Sequence, residues 1–230
     1  MAEKRRFVVG DVHGCNKTLD KLLFEKLKIG FDDIIYFVGD LIDRGPDSKG
    51  VIDRIIDLKV DGYNIQSVMG NHEYMLMRSF KSEKKYKAWQ KNGAKSTLRS
   101  FNISHINELD DKYVDFFLSM PLALVLDEYI IVHAGLNCEV ENPLNDKDSI
   151  LWTRSEEINL QKTDGKRVIA GHTPQILSTI ISKLNNNHIP VDGGCVYHGQ
   201  YYYPGYLCAF EMNSKTLHYV INSESLPAKS

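Results

Sequence analysis

Five short apolar runs in this chain each end beside a glycine and a residue type able to bind a metal ion. They are Val9-Gly-Asp-Val-His13, Val38-Gly-Asp40, Met69-Gly-Asn-His-Glu73, Ile131-Val-His-Ala-Gly135 and Ile169-Ala-Gly-His172. Glycine lets the backbone turn sharply and approach an ion, while aspartate, asparagine and histidine supply oxygen and nitrogen donors. A two-metal centre needs a carboxylate shared between the ions, further ligands on each, and an open position for water. Asp40 is the carboxylate to share. On this reading Asp11, His13 and Asp40 hold one ion, and Asp40, Asn71, His133 and His172 hold a second, roughly 3.5–4 Å away. Oxygen and nitrogen donors without thiolate suit manganese, iron or zinc.

These residues need rigid elements behind them, and the apolar pattern supplies candidates. Arg6–Asp11 reads as a buried strand, followed by Leu19, Leu22, Leu23 and Leu27 at helical spacing, with Asn16 available as the N-cap. The same order returns in the strand Asp33–Gly39 with the helix Ser48–Leu58, and in the strand Asn64–Gly70 with the helix Asn71–Phe80. Repeated β-α units predict a largely parallel sheet, which places ligands at the carboxyl ends of its strands. Residues 82–117 are helical and polar in pattern. Leu122–Asp127 and Tyr129–His133 predict two strands across an acidic turn. Arg167–Ala170, Thr179–Leu184, His188–Val191, Leu207–Met212 and Thr216–Ile221 predict further strands with hairpin-like connections, so the second half is expected to be mostly antiparallel. Residues 223–230 read as a frayed tail. With no internal repeat, low-complexity tract or linker, one catalytic domain over residues 1–230 is expected.

Composition excludes several classes. The 230 residues are 43% hydrophobic and 25% charged, as in ordinary globular domains. A net charge of -2 gives no general attraction to nucleic acid or an anionic membrane. Cys15, Cys138, Cys195 and Cys208 form no C-x-x-C pair, which favours reduced thiols over a disulfide or zinc framework. The basic start runs into Gly10-Asp11 rather than the apolar core of a signal peptide, and no run is long enough to span a bilayer. A cytoplasmic, unanchored protein, monomeric and without a nucleic-acid or membrane partner, is expected.

Taken in order, Gly-Asp-Val-His-Gly, Gly-Asp-Leu-Ile-Asp-Arg-Gly, Gly-Asn-His-Glu, His-Ala-Gly and Gly-His-Thr-Pro resemble the phosphoprotein phosphatases, metallophosphoesterases of the calcineurin-like superfamily. The small bacterial and phage branch is the nearest match. The resemblance runs from about Phe7 to the strands after Gly194, and the motifs are specific in combination. It implies an α/β fold of two packed mixed β-sheets flanked by helices, with a dinuclear metal site at the strand ends, and it favours manganese. It also implies that His72 donates a proton to the leaving oxygen with Asp43 as its partner, and that Arg44 and Arg154 clamp the phosphate. Guanidinium suits that task because it binds phosphate oxygens bidentately and stays charged. Two cations would lower the pKa of a bound water from ~15.7 to about 7, supplying hydroxide for in-line attack without a phosphoenzyme.

Two features depart from the pattern of the branch. Ala94 follows Asn92-Gly93 where a second glycine is usual, and the run Val196–Tyr206 is long and rich in tyrosine. Tyr201, Tyr202 and Tyr203 are candidates for a substrate wall favouring flat groups such as phosphotyrosine, with hairpin packing as the alternative. The basic run from Arg78 to Arg99, with Tyr86 and Trp89 interleaved, reads as a solvated helix face, with attraction of acidic phosphopeptides, rather than duplex DNA, as the alternative. Trp152 reads as a core residue. The expected activity is hydrolysis of phosphoserine and phosphothreonine, with phosphotyrosine as a further substrate, on proteins or peptides. A diadenosine tetraphosphate hydrolase is the rival within the same chemistry, and an inactive phosphoprotein-binding module the rival from another class.

Overall fold

Phe7 and Val9 face one side of the first strand and Val8 the other, and all three are buried, so this strand is covered on both faces. The computed structural model describes residues 4–199 and 205–224. Along the first third of the chain run β1 (Arg6–Val9), α1 (Asn16–Asp20, continuing as a π-helical turn over Lys21–Leu27), β2 (Ile34–Phe37), α2 (Ser48–Val60), β3 (Asn64–Ser67) and α3 (Asn71–Ser79). The expected β-α order is present. Cys15 rather than Asn16 occupies the N-cap position of α1, and the Asn16 amide instead donates to Asp47.

Next come α4 (Glu83–Trp89), α5 (Lys95–Ser100) and α6 (Asp111–Leu118). Tyr86 and Trp89 point inward and are buried, so the exposed lysines around them carry no interleaved aromatic surface. The rest of the chain forms β4 (Ala123–Val125), β5 (Tyr129–Val132), α7 (Lys147–Trp152), β6 (Arg167–Ala170), α8 (Leu177–Lys183), β7 (His188–Pro190), β8 (Asp192–Gly193), β9 (Tyr206–Glu211) and β10 (Thr216–Ile221).

Two mixed sheets result. One has the order β10-β9-β1-β2-β3, with β8 also paired to β9; its β1, β2 and β3 are parallel, and β9 is antiparallel to both β1 and β10. The other has the order β4-β5-β6-β7, antiparallel only between β4 and β5. Val8, Tyr36, Ile131, Ile169, Ile189 and Phe210 pack between the sheets, while the alternate residues face the helices outside. This is the period of two that a strand imposes.

The strand predicted over Thr179–Leu184, with its hairpin-like connections, is corrected here, because that segment is not a strand. The segment lies largely in α8, whose Leu177, Ile180 and Leu184 turn one face toward the core between the sheets. Their spacing of three and four is helical, and burial of that face overrides the β preference of Thr179, Ile180 and Ile181. As a result α8 crosses over and β6 and β7 run parallel. No helix among the described residues is long and apolar enough to cross a membrane. All four cysteines are free.

Candidate metal centre and proton donor

The centre is organised by the loops that leave β1, β2, β3, β5 and β6. Gly39 has φ +90°, and a Cβ there would lie 2.3 Å from the Gly70 nitrogen; a Cβ on Gly70 would lie 2.3 Å from the Asp40 nitrogen. Only two glycines let these loops touch. Glu73 then ties them together. Its carboxylate accepts from the backbone N–H groups of Asp40 (2.8 Å), Leu41 (2.8 Å), Ile42 (3.3 Å) and Gly70 (2.9 Å). Burial and the charge of Asp40 push its carboxyl up to about 7, opposed by His72 and these donors. Among the described residues nine non-glycine positions have positive φ, and five of them are His13, Asp40, Asp43, Arg44 and His172. Such conformations cost about 1–3 kcal/mol each and persist where the surroundings impose them, commonly at functional sites.

The donors expected to bind metal converge on Asp40, which is buried. His13 Nε2 lies 3.4 Å from Asp40 Oδ2, and His133 Nε2 lies 3.5 Å from Asp40 Oδ1 and 3.1 Å from His172 Nδ1. The other nitrogens of two rings are committed: His13 Nδ1 donates to the Ile42 carbonyl at 2.8 Å, and His133 Nδ1 to the Val38 carbonyl at 2.9 Å. A carbonyl can only accept, so both Nε2 atoms carry lone pairs into the centre, the tautomer that a metal requires. The side-chain oxygen of Asn71 stands 2.9 Å from His133 Nε2. Turned about, the same amide would donate to both Asp40 oxygens and to His133. With the oxygen inward, acceptors of Asp40, Asn71 and His133 face one another, an arrangement that a cation would satisfy. Two groups, His13–Asp40–His72 and Asp40–His133–His172, have ligand atoms close enough to share an ion.

Electrostatics separates the histidines. Burial, most of all, holds His13 and His133 below the usual histidine range and His172 down to about 4, with Asp40 opposing in each case. Burial would also depress His72, but the charges of Asp40 and Asp43 and its hydrogen bond to Asp43 outweigh it, so His72 is raised. Burial thus favours the neutral, donor form of three rings, while Asp40 and Asp43 favour the charged form of the fourth. His72 Nδ1 lies 2.7 Å from Asp43 Oδ2, and its Nε2 is buried without a partner, 3.9 Å from Asp40 Oδ2. A ring whose charged form is favoured by Asp43 and whose unpartnered Nε2 lies beside the shared carboxylate is placed as a proton donor more than as a metal ligand.

Asp11 joins the centre from a different direction. Both of its oxygens accept from the His172 backbone N–H at 3.1 Å, and a Cβ on Gly171 would lie 1.9 Å from Oδ1. Burial and the charges of Asp192 and Asp40 push its carboxyl well above the usual range. Asp40 is buried too, but its interactions with His133, His72 and His13, and the hydrogen bond from the His72 backbone N–H, hold it below that range. Carboxylates crowded in this way repel one another, and divalent ions between them would relieve the repulsion.

Arg44 is exposed at the rim, with its guanidinium against His13 Nε2 and 5.7 Å from the centroid of the Tyr197 ring. Gly93, at φ +108°, leaves the space that Arg44 needs, because a Cβ would sit 2.9 Å from Arg44 Cγ. The Asn92-Gly93 turn therefore positions this arginine with Ala94 buried behind it. Arg154 is also exposed, and its charge contributes to lowering His172. Tyr201, Tyr202 and Tyr203 lie outside the described residues.

Several contributors escaped sequence reasoning. Trp89 Nε1 donates to Asp43 Oδ2 at 2.8 Å, and Thr97 Oγ1 to Asp43 Oδ1 at 2.6 Å, so Asp43 is held from three sides. Glu73, the last residue of Gly-Asn-His-Glu, was the one site where a signal was in view. Trp152 corrects the reading as core: it is 41% exposed and meets the His172 ring edge-on at 6.3 Å. The preceding Ile150 and Leu151 fill the core instead.

The model for calcineurin-like phosphoesterases matches residues 4–220. A bis(5'-nucleosyl)-tetraphosphatase of the asymmetrical type from Oceanobacillus iheyensis is 29% identical over 83% of this chain and 84% of its own length. Serine/threonine-protein phosphatase 1 of Salmonella typhimurium is 29% identical over 84% of this chain and 88% of its own. A protein serine/threonine phosphatase structure from Saccharomyces cerevisiae superposes with a TM-score of 0.66 at 18% identity, covering 98% of this chain and 82% of that one.

Proposed function

Because this chain belongs to the calcineurin-like phosphoesterase family, we propose that it hydrolyses phosphoric esters at the Asp40 centre, with His72 protonating the leaving oxygen. One observation carries the reading: a buried histidine hydrogen-bonded through Nδ1 to a buried aspartate, with its unpartnered Nε2 beside the shared carboxylate. Asp11, His13 and Asp40 would hold one divalent ion and Asp40, Asn71, His133 and His172 the other. When bound, the ions supply Lewis acidity toward phosphoryl oxygen and lower the pKa of a water to about 7. Manganese is the proposed occupant, with iron or zinc as alternatives for the same donors.

Arg44 and Arg154 would orient the phosphate from the rim, each by paired N–H groups to its oxygens. Asp43 fixes the ring of His72 and stabilises its charge, so that the Nε2 proton is available to the departing oxygen. Trp89 and Thr97 fix Asp43 in turn. The proposed substrate is a phosphoserine or phosphothreonine side chain, with phosphotyrosine as a further one, and the similarity to the Salmonella protein phosphatase supports it. A second reading is hydrolysis of dinucleoside polyphosphates, supported by the tetraphosphatase relatives. Phosphopeptides and diadenosine tetraphosphate, offered side by side to the manganese-loaded protein, decide between them. Preference for the dinucleotide overturns the first reading, and turnover of neither overturns both.

A further inference from the structure

Beside the centre lies a groove of about 370 Å³ between α3, α4 and α7. Tyr74, Met75 and Trp152 line it together with the cations Arg78, Lys84 and Lys85 and one acid, Asp148. Two cations are held over Tyr74: the Arg78 guanidinium is 5.4 Å and Lys147 Nζ 5.3 Å from the ring centroid. Arg78 also reaches the Tyr74 hydroxyl, at 3.5 Å. Trp152 belongs to both places, since it lines the groove and meets the His172 ring.

A substrate whose phosphate sits at Asp40 and whose remainder runs past Trp152 would enter this groove. We propose that the groove binds the leaving-group side of a nucleoside polyphosphate, with the base against Trp152 and the additional phosphates on Arg78 and Lys147. This rests on the phosphoesterase reading of the centre and deepens its second reading, the dinucleoside polyphosphate, by naming where the part beyond the cleaved phosphate lies. Three cations line the groove with one acid, and Lys147 adds a fourth over Tyr74, which fits a chain of phosphates. An acidic phosphopeptide would engage the same cations; the exposed Trp152 indole, flat and open to stacking, is what favours a base. A base stacked on an aromatic side chain contributes about 1–3 kcal/mol, whatever the base. The volume also lies in the range of small-ligand sites, which begins at about 300 Å³.

The test has a binding arm and a kinetic arm. Trp89 is buried and Trp152 exposed, so quenching of protein fluorescence by adenosine 5'-(β,γ-methylene)triphosphate, added to the manganese-loaded protein, reads the groove. The quenching should be saturable and should disappear in Trp152→Phe. In the kinetic arm, Arg78→Ala/Lys147→Ala should raise KM for diadenosine tetraphosphate about tenfold or more, the loss of one charge-assisted phosphate contact, while kcat changes little. Lys91→Ala/Lys95→Ala, which removes the same charge away from the groove, should leave that KM unchanged. Equal effects of the two double variants would overturn the proposal, as would an effect confined to an acidic phosphopeptide. Wild-type protein that cleaves p-nitrophenyl phosphate but neither binds nor cleaves the nucleotides would overturn the groove and leave the centre standing. Failure on p-nitrophenyl phosphate as well would instead sink the reading of the centre.

Discussion

Replacing Asp43 by asparagine separates the charge of this residue from its shape. Asp43 Oδ2 accepts from His72 Nδ1 at 2.7 Å and from Trp89 Nε1 at 2.8 Å, while Oδ1 meets the Thr97 hydroxyl. An asparagine can keep its oxygen toward the two N–H donors and turn its NH₂ toward Thr97, whose hydroxyl can accept as well as donate. The fold should survive, and the charge is lost. A hydrogen bond to a charged group contributes about 1.5–3 kcal/mol, and 1.36 kcal/mol corresponds to one pKa unit, so His72 should fall by about one to two units. The acid form of His72 is the one that acts, and Asp43 is among the groups that raise it. Its alkaline loss of activity should therefore move to lower pH by that amount. The assay is kcat/KM against pH for two aryl phosphates, one with a good and one with a poor leaving group. The poor one should suffer more, up to the 10²–10⁴-fold that general acid catalysis usually contributes, a ceiling that His72→Asn should define. An Asp43→Asn enzyme with an unmoved alkaline limb and the same leaving-group ratio would refute the assignment of His72.

Three further changes probe the scaffold and the ions. Glu73→Gln places an NH₂ among four backbone N–H donors, so chemical denaturation should show a loss of at least about 1–3 kcal/mol; full stability would mean that these loops are tied elsewhere. Gly171→Ala brings a Cβ within 1.9 Å of Asp11 Oδ1, so the manganese concentration for half-maximal activity should rise about 10–100-fold, as for other changes around metal ligands. An unchanged requirement would show that Asp11 is not a ligand. Asp40→Asn removes the shared charge, so metal analysis after gel filtration should find both ions depleted, and retention of one at full occupancy would contradict the bridging role.

The residue types at the strand ends were legible without coordinates, because glycine, aspartate, asparagine and histidine in those runs have few other reasons to recur together. The β-α order of the first half was legible as well, since alternate residues of a buried strand and every third or fourth residue of a covering helix must be apolar. What local pattern could not decide was everything that depends on a distant neighbour. The segment Leu177–Lys183 became a helix because one face meets the core between the sheets, although its β-branched residues favour a strand. Asp43 and Trp89 lie 46 residues apart and meet only in the folded chain. The lowered pKa of His13 and the raised pKa of His72 follow from which groups surround each ring, not from the rings themselves. Donor chemistry is a property of residue type and is written into the sequence; protonation, the partner of each donor and the exposure of Trp152 are properties of proximity, which exist only once the chain has folded.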